Sequence, residues 1–235
     1  MNPTLIAAFL RQRFTSPMRA GLLFLVTVFP LGAVAVTGTI SPLAGIASPI
    51  ALILAAGAIG QDVASGTLQL LLVRPVSRPS VLLNRWLACV LAAVGLTLAM
   101  LVLGTLALLL RHTHPDGLDL VRIVLESACS AAGSAAVMAM LSTLVGGLGD
   151  VGLLVAAVIV TQTFAGLATL EHWDWLARTC TEIQGVISPQ LGWEWMVHGS
   201  PPSWFAITSW ASTVTLALAA GIARLNRREL SYAAG

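Results

Sequence analysis

Six times along its 235 residues the chain enters a run of about 20 apolar residues almost free of charge, a length that crosses the ~30 Å hydrocarbon core of a bilayer when coiled as a helix. The runs are Ala20 to Ile40, Ser41 to Gly60, Trp86 to Leu110, Ile123 to Gly146, Val151 to Leu170 and Phe205 to Ala223. Lipid offers the backbone no hydrogen-bond partners, so each run must satisfy its own N–H and C=O groups, and a helix does so. The expected fold is an all-α integral membrane protein, a single domain over residues 1–235 with six transmembrane helices. Composition agrees, since 57% hydrophobic against 9% charged residues leaves too little polar surface to enclose a water-exposed globule. Gly38, Ser41 and Pro42 make the first two spans a tight hairpin whose division is hard to place.

Charge sets the expected orientation. Arg11, Arg13 and Arg19 precede the first span, Arg74, Arg78 and Arg85 lie between the second and third, and Arg224, Arg227 and Arg228 follow the sixth. The other side holds Arg111, Arg122 and Arg178 among Asp116, Asp119, Glu126, Glu171, Asp174, Glu182 and Glu194. The positive-inside bias then puts both termini in the cytoplasm, which requires an even number of crossings. The setting this implies is a plasma membrane crossed several times, as in the inner membrane of a prokaryotic cell. The arginines so placed are topological signals, and no nucleic acid partner is expected.

Several chemistries are disfavoured. All twelve basic residues are arginine, so the chain lacks the lysine of a phosphate-binding P-loop and of a Schiff base; it carries no ATPase site and is not expected to be an enzyme. Cys89, Cys129 and Cys180 offer neither a paired framework nor C-x-x-C spacing. Within the spans Glu126 is the one acidic group, with Arg122 one turn before it; an interfacial ion pair accounts for both and an ion relay is disfavoured. Ser134 has no histidine within any span to act as its base. His112 and His114 lie in one outer loop. His172 and His198 lie in the other, residues 171–204, among Trp173, Trp175, Trp193, Trp195 and Trp204, which read as an interfacial belt on short helices at the outer surface.

Two segments stand apart from the spans. In residues 1–19, Leu5, Ile6, Phe9, Leu10, Phe14 and Met18 recur at helical spacing beside Arg11, Gln12, Arg13, Thr15 and Ser16, the pattern of an amphipathic interfacial helix that Pro17 turns into the bilayer. Residues 61–85 form a basic, proline-punctuated insert. Thr67 can cap a short leucine-rich helix that Pro75 stops, and Ser77 or Ser80 can cap a second, with Pro79 in its first turn, that runs on into the third span. The short element is too brief to cross the bilayer, and its apolar side needs a cover, from lipid headgroups or from a soluble protein subunit.

The run from Asp62 through Arg85 resembles the signature of permease subunits of ABC-2 type transporters: an acidic residue, Gly66-Thr67-Leu68, a leucine run, a proline-serine hinge, and a basic residue opening the next span. The family often has glutamate where Asp62 and Gln69 stand and lysine where Arg85 stands. The six-span layout, the N-terminal elbow helix and the ending Arg227-Arg228-Glu229-Leu230 are similar too. The resemblance implies the permease of an exporter driven by a separate ATP-binding subunit, which would hold the ATP and Mg, and a second permease copy, identical or paralogous. Asp62, Gly66, Thr67, Leu68, Gln69, Leu70, Arg74, Pro75, Ser77, Arg78 and Arg85 would form the coupling segment. The turn with Gly147, Gly149 and Asp150 would be a second cytoplasmic contact or merely a tight hairpin, with Asp150 capping the fifth span. Haem-export permeases of cytochrome c maturation share this size and span number, and a stand-alone scaffold or channel is the reading from another class.

Inside the bilayer, Ala128, Ala131, Ala132, Gly133, Ala135 and Ala136 give the fourth span a smooth face for close helix approach, as Ala51, Ala55, Gly57 and Gly60 do for the second. Thr161, Gln162 and Thr163 in the fifth span, and Thr208, Ser209, Ser212 and Thr213 in the sixth, are neutral polar groups that bond across helices or line a path. A path of that chemistry suits a lipophilic or amphiphilic cargo better than a small ion.

Overall fold

The computed structural model describes residues 3–64, 77–145, 149–170, 173–191, 193 and 204–227. The described residues form helices joined by short turns: α1 (Pro3–Phe14), α2 (Pro17–Thr37), a 3-10 turn (Ser41–Leu43), α3 (Ala47–Ala55), α4 (Gly60–Ala64), α5 (Arg78–Leu110), α6 (Gly117–Leu144), α7 (Gly149–Leu170), α8 (Asp174–Ile187) and α9 (Trp204–Arg227). Among the described residues six segments are long and apolar enough to cross a membrane, namely α2, the segment Ser41–Asp62, α5, α6, α7 and α9.

Local chemistry accounts for most boundaries. Gly38 ends α2 at φ +70, a left-handed conformation that glycine adopts without strain, and its N–H returns to the Val34 carbonyl. This places the division of the first hairpin. Asp116 caps α6 by accepting the Leu118 N–H at 3.2 Å. Ser77 is the N-cap residue of α5 with Pro79 in the first turn, as expected, although its hydroxyl makes no capping bond. The third span is thus the upper part of a 33-residue helix that starts eight residues earlier than the apolar run.

The second span departs from expectation: it is not one helix. α3 stops at Ala55, four residues turn, with Gly57 at φ +63, and α4 resumes at Gly60. The broken span sits at the centre of the bundle, packed against α5 and α6. The small-residue face of α6 is buried as its composition predicts, with Ala131, Gly133, Ser134, Ala135 and Ala136 all inside. Trp86 of α5 and Trp210 of α9 fasten to it by indole N–H bonds to the carbonyls of Ala132 (3.0 Å) and Cys129 (3.2 Å).

α8 does not lie across the helix ends. It folds back along α7, and its 14 residues carry the chain about 21 Å toward the middle of the bundle. There Ser188 bonds to Ser48 (3.2 Å), which bonds to Ser134 (2.6 Å). Gly133 is required at this contact, because a Cβ there would lie 2.5 Å from the Pro189 carbonyl oxygen. The small face of α6 therefore receives a returning loop as well as a helix. Cys180 of α8 is a free cysteine and is buried.

Candidate functional site

A helix broken inside a bundle frees backbone groups that must be bonded again, and here five elements converge to do it. Three carbonyls and three N–H groups of residues 56–60 take side-chain partners from other elements. On the carbonyl side the partners are guanidinium groups. Arg13 donates to Ala56 (2.8 Å) and Gly57 (2.9 Å), Arg19 donates to Ala56 (3.1 Å), and Arg85 donates to Ala58. On the N–H side the partners are acceptors from the fourth and fifth spans. Gly57 N–H donates to Asp150 Oδ2 (2.6 Å), and the N–H groups of Ile59 and Gly60 share Ser142 Oγ at 2.7 and 2.9 Å.

Side chains at the start of α4 complete the node. Gln61 Oε1 accepts from Arg13 (3.2 Å) and Arg19 (2.9 Å), and Asp62 forms an ion pair with Arg85. The Phe9 ring lies under Arg13 at 4.7 Å and Arg85 at 5.5 Å, within cation–π range. Three guanidinium groups, two carboxylates and an aromatic face thus bind α1, α2, α4, α5 and α7 to one turn of backbone. Each charged side chain meets acceptors or a counter-charge, the condition under which ions persist in a dry interior, although the Arg13 Nε is buried without a partner among the described residues. Burial pushes the Arg13 guanidinium down to about 10, with Arg19 beside it adding to the lowering, so it remains charged at neutral pH.

Sequence reasoning anticipated some of these residues and misplaced others. Asp62 and Arg85, expected in the coupling segment, are both buried and joined to each other, which closes the base of the insert between them. Arg78 bonds the carbonyls of Leu225 (3.1 Å) and Asn226 (3.3 Å), tying the start of α5 to the end of α9. Ser77 is exposed. Gly66, Thr67, Leu68, Gln69, Leu70, Arg74 and Pro75 lie outside the described residues, as does Gly147. Gly149 opens α7, packed so closely that a Cβ would run into the Val145 side chain.

Two expectations need correcting. Asp150 was expected to cap α7, but it is fully buried and one carboxylate oxygen serves the break at Gly57, while the other takes its neighbour's Val151 N–H at 2.9 Å. Arg13 was expected on a polar face beside headgroups, but it is 2% exposed and turned inward with Phe9, four residues before it. Phe14 and Met18 of the apolar stripe are the exposed ones. The spacing that pairs Phe9 with Arg13 was visible; what it faced was not. Gln61 and Ser142 were missed altogether. Gly57 and Gly60 bracketing the turn were the available signal, read instead as a packing surface.

Elsewhere, Arg122 makes an ion pair with Asp119 at 3.9 Å, one turn back along α6. His112 and His114 are exposed on the turn after α5, and His172 and His198 lie outside the described residues. Among the described residues no group of three or more His, Cys, Asp or Glu is placed to hold a metal ion.

These features define a helical protein with six segments suited to cross a membrane and a central span broken and re-bonded by charged side chains at one end. The chain belongs to the family described as protein of unknown function (DUF2705), whose model matches residues 5–172. The matched stretch holds every residue of the node and stops as α7 ends. No curated protein matches the chain.

Proposed function

We propose that the chain is the membrane-spanning permease subunit of an ATP-driven exporter of the ABC-2 type, moving a lipophilic or amphiphilic cargo on energy from a separate ATP-binding subunit. The observation that supports this most is the mechanical continuity of the node with the insert. Asp62 and Arg85 clamp the two feet of residues 63–84 together, and the same Arg85 bonds the broken turn that Arg13, Arg19 and Asp150 also hold. A force on the insert therefore reaches α1, α2, α5 and α7 through charge-assisted hydrogen bonds rather than through a pliable linker.

In this reading both termini face the cytoplasm, α1 lies at the inner interface with its exposed apolar side chains toward lipid, and the insert seats in a groove of the ATPase. ATP draws two ATPase subunits together, the inserts of two permease copies follow, and the spans attached to each node tilt as a unit. The chain performs no covalent chemistry. Arg78, engaged with the end of α9, serves the stiffness of the lever, which leaves Arg74 as the insert arginine for docking.

A photo-crosslinking amino acid placed at Thr67 or Leu70 tests the reading in membranes of the native host. The expected result is a crosslink to an ABC-type ATPase, changed by trapping the ATP-bound state and lost with Arg74→Glu. Crosslinks to lipid alone in every nucleotide state would overturn it.

A further inference from the structure

The pairing of α7 with α8 leaves a cleft of about 390 Å³ between them, within the range of small-molecule sites. Its polar lining is Gln162 from α7 and Thr181, Gln184, Ser188 and Gln190 from the returning segment. Val158 and Ile187 form its apolar floor, and no charged side chain lines it. Gln162 lies 13 residues from the start of α7 and 8 from its end, roughly 20 Å and 12 Å along the axis. The cleft is therefore at mid-span.

Three carboxamides at that depth are unusual. An amide in hydrocarbon without a partner costs several kcal/mol on transfer scales, about 4–8 against cyclohexane. Gln190, exposed, reaches Ser188 at 3.4 Å, but the side-chain amides of Gln162, exposed on α7, and of Gln184, half-buried, make no hydrogen bond to the described residues. Each carboxamide offers an acceptor and two donors, which matches hydroxyl groups, since a hydroxyl also donates and accepts. The absence of any lining charge makes the site a poor one for an ion, whose desolvation nothing there would offset. Val155 and Ile159, exposed apolar side chains on the same side of α7 as Val158 and Gln162, run on from the cleft as a track for an acyl chain.

We infer that this cleft binds an amphiphile with an uncharged, hydroxyl-rich headgroup, the head held by Gln162 and Gln184 and the tail laid along α7. The site is a property of the chain alone and does not depend on the exporter reading, which fails or survives by crosslinking at the insert.

The test uses the full chain in phosphatidylcholine nanodiscs, titrated with three fluorescent lipids of identical tails bearing glucosyl, phosphoglycerol or phosphoethanolamine heads. The glucosyl lipid is expected to bind saturably. Gln162→Leu and Gln184→Leu are each expected to weaken it roughly tenfold, the worth of about one hydrogen bond at a site of this kind, and Val158→Trp to abolish it by filling the cleft. Both leucine variants place an apolar side chain where hydrocarbon tolerates it, so insertion and helicity serve as folding controls. Equal binding of all three lipids, or glucosyl binding unchanged in both leucine variants, would overturn the inference. So would loss of a dimer in those variants without any effect on lipid, which would assign the face to a second copy of the chain.

Discussion

The first and second spans are nearly alike in composition and opposite in fate. α2 contains Pro30, the residue most able to interrupt a helix, yet runs unbroken from Pro17 to Thr37 with 11% of its apolar window buried. The second span has Pro49 in the first turn of α3 but no proline between Ile50 and Ile59, yet breaks after Ala55, and 72% of its window is buried. A proline is thus neither necessary nor sufficient. A helix opens inside a bundle where other elements deliver partners for the groups it frees, and Arg13, Arg19, Arg85, Ser142 and Asp150 deliver them only at residues 56–60. Few side chains of other elements cover α2 to deliver any, so Pro30 is absorbed within its helix.

The severest challenge to that contrast is Arg85→Leu. It leaves the Asp62 carboxylate and the Ala58 carbonyl buried without the guanidinium, and should cost about 3–5 kcal/mol, read as a lowered unfolding midpoint in detergent. A loss below about 1 kcal/mol would mean that the break does not need its clamp.

Gly57→Ala asks a narrower question. At φ +63 a side chain is strained, and a cost of about 1–2 kcal/mol is expected in the same assay. A neutral result would show that the turn relaxes to ordinary helix, erasing the difference between the two spans.

On α2 the expected effect is smallest: Phe29, 81% exposed, should tolerate Phe29→Leu within about 0.5 kcal/mol. A larger loss would reveal that this face is covered, by a second copy for instance, and that α2 is not peripheral.

How much was legible follows the same division. The spans were readable to within a few residues at most ends because hydrocarbon thickness and backbone self-sufficiency act on each segment separately. The start of α5 at Ser77 and Pro79 was readable because a helix N-terminus is a local event. Arg13 and Asp150 were misplaced for one common reason. Each looked like a terminal charge serving its own helix, one at the interface and one as a cap, while its actual partner is a backbone group at Ala56 or Gly57 more than forty residues away. The return of α8 along α7 was hidden likewise, since its Trp175 and its charges announce an interface but not the Ser188 to Ser48 contact at its far end.

From the chain of residues alone came six segments of membrane-spanning length and composition and the exclusion of a P-loop, since hydropathy, length and the missing lysine act without regard to neighbours. Folding in three dimensions decided which span stands at the centre, where it opens and which arginines turn inward. Those outcomes depend on partners distant in sequence meeting at one point, and hydrogen bonds in a dry interior reward only the geometry that brings all of them together.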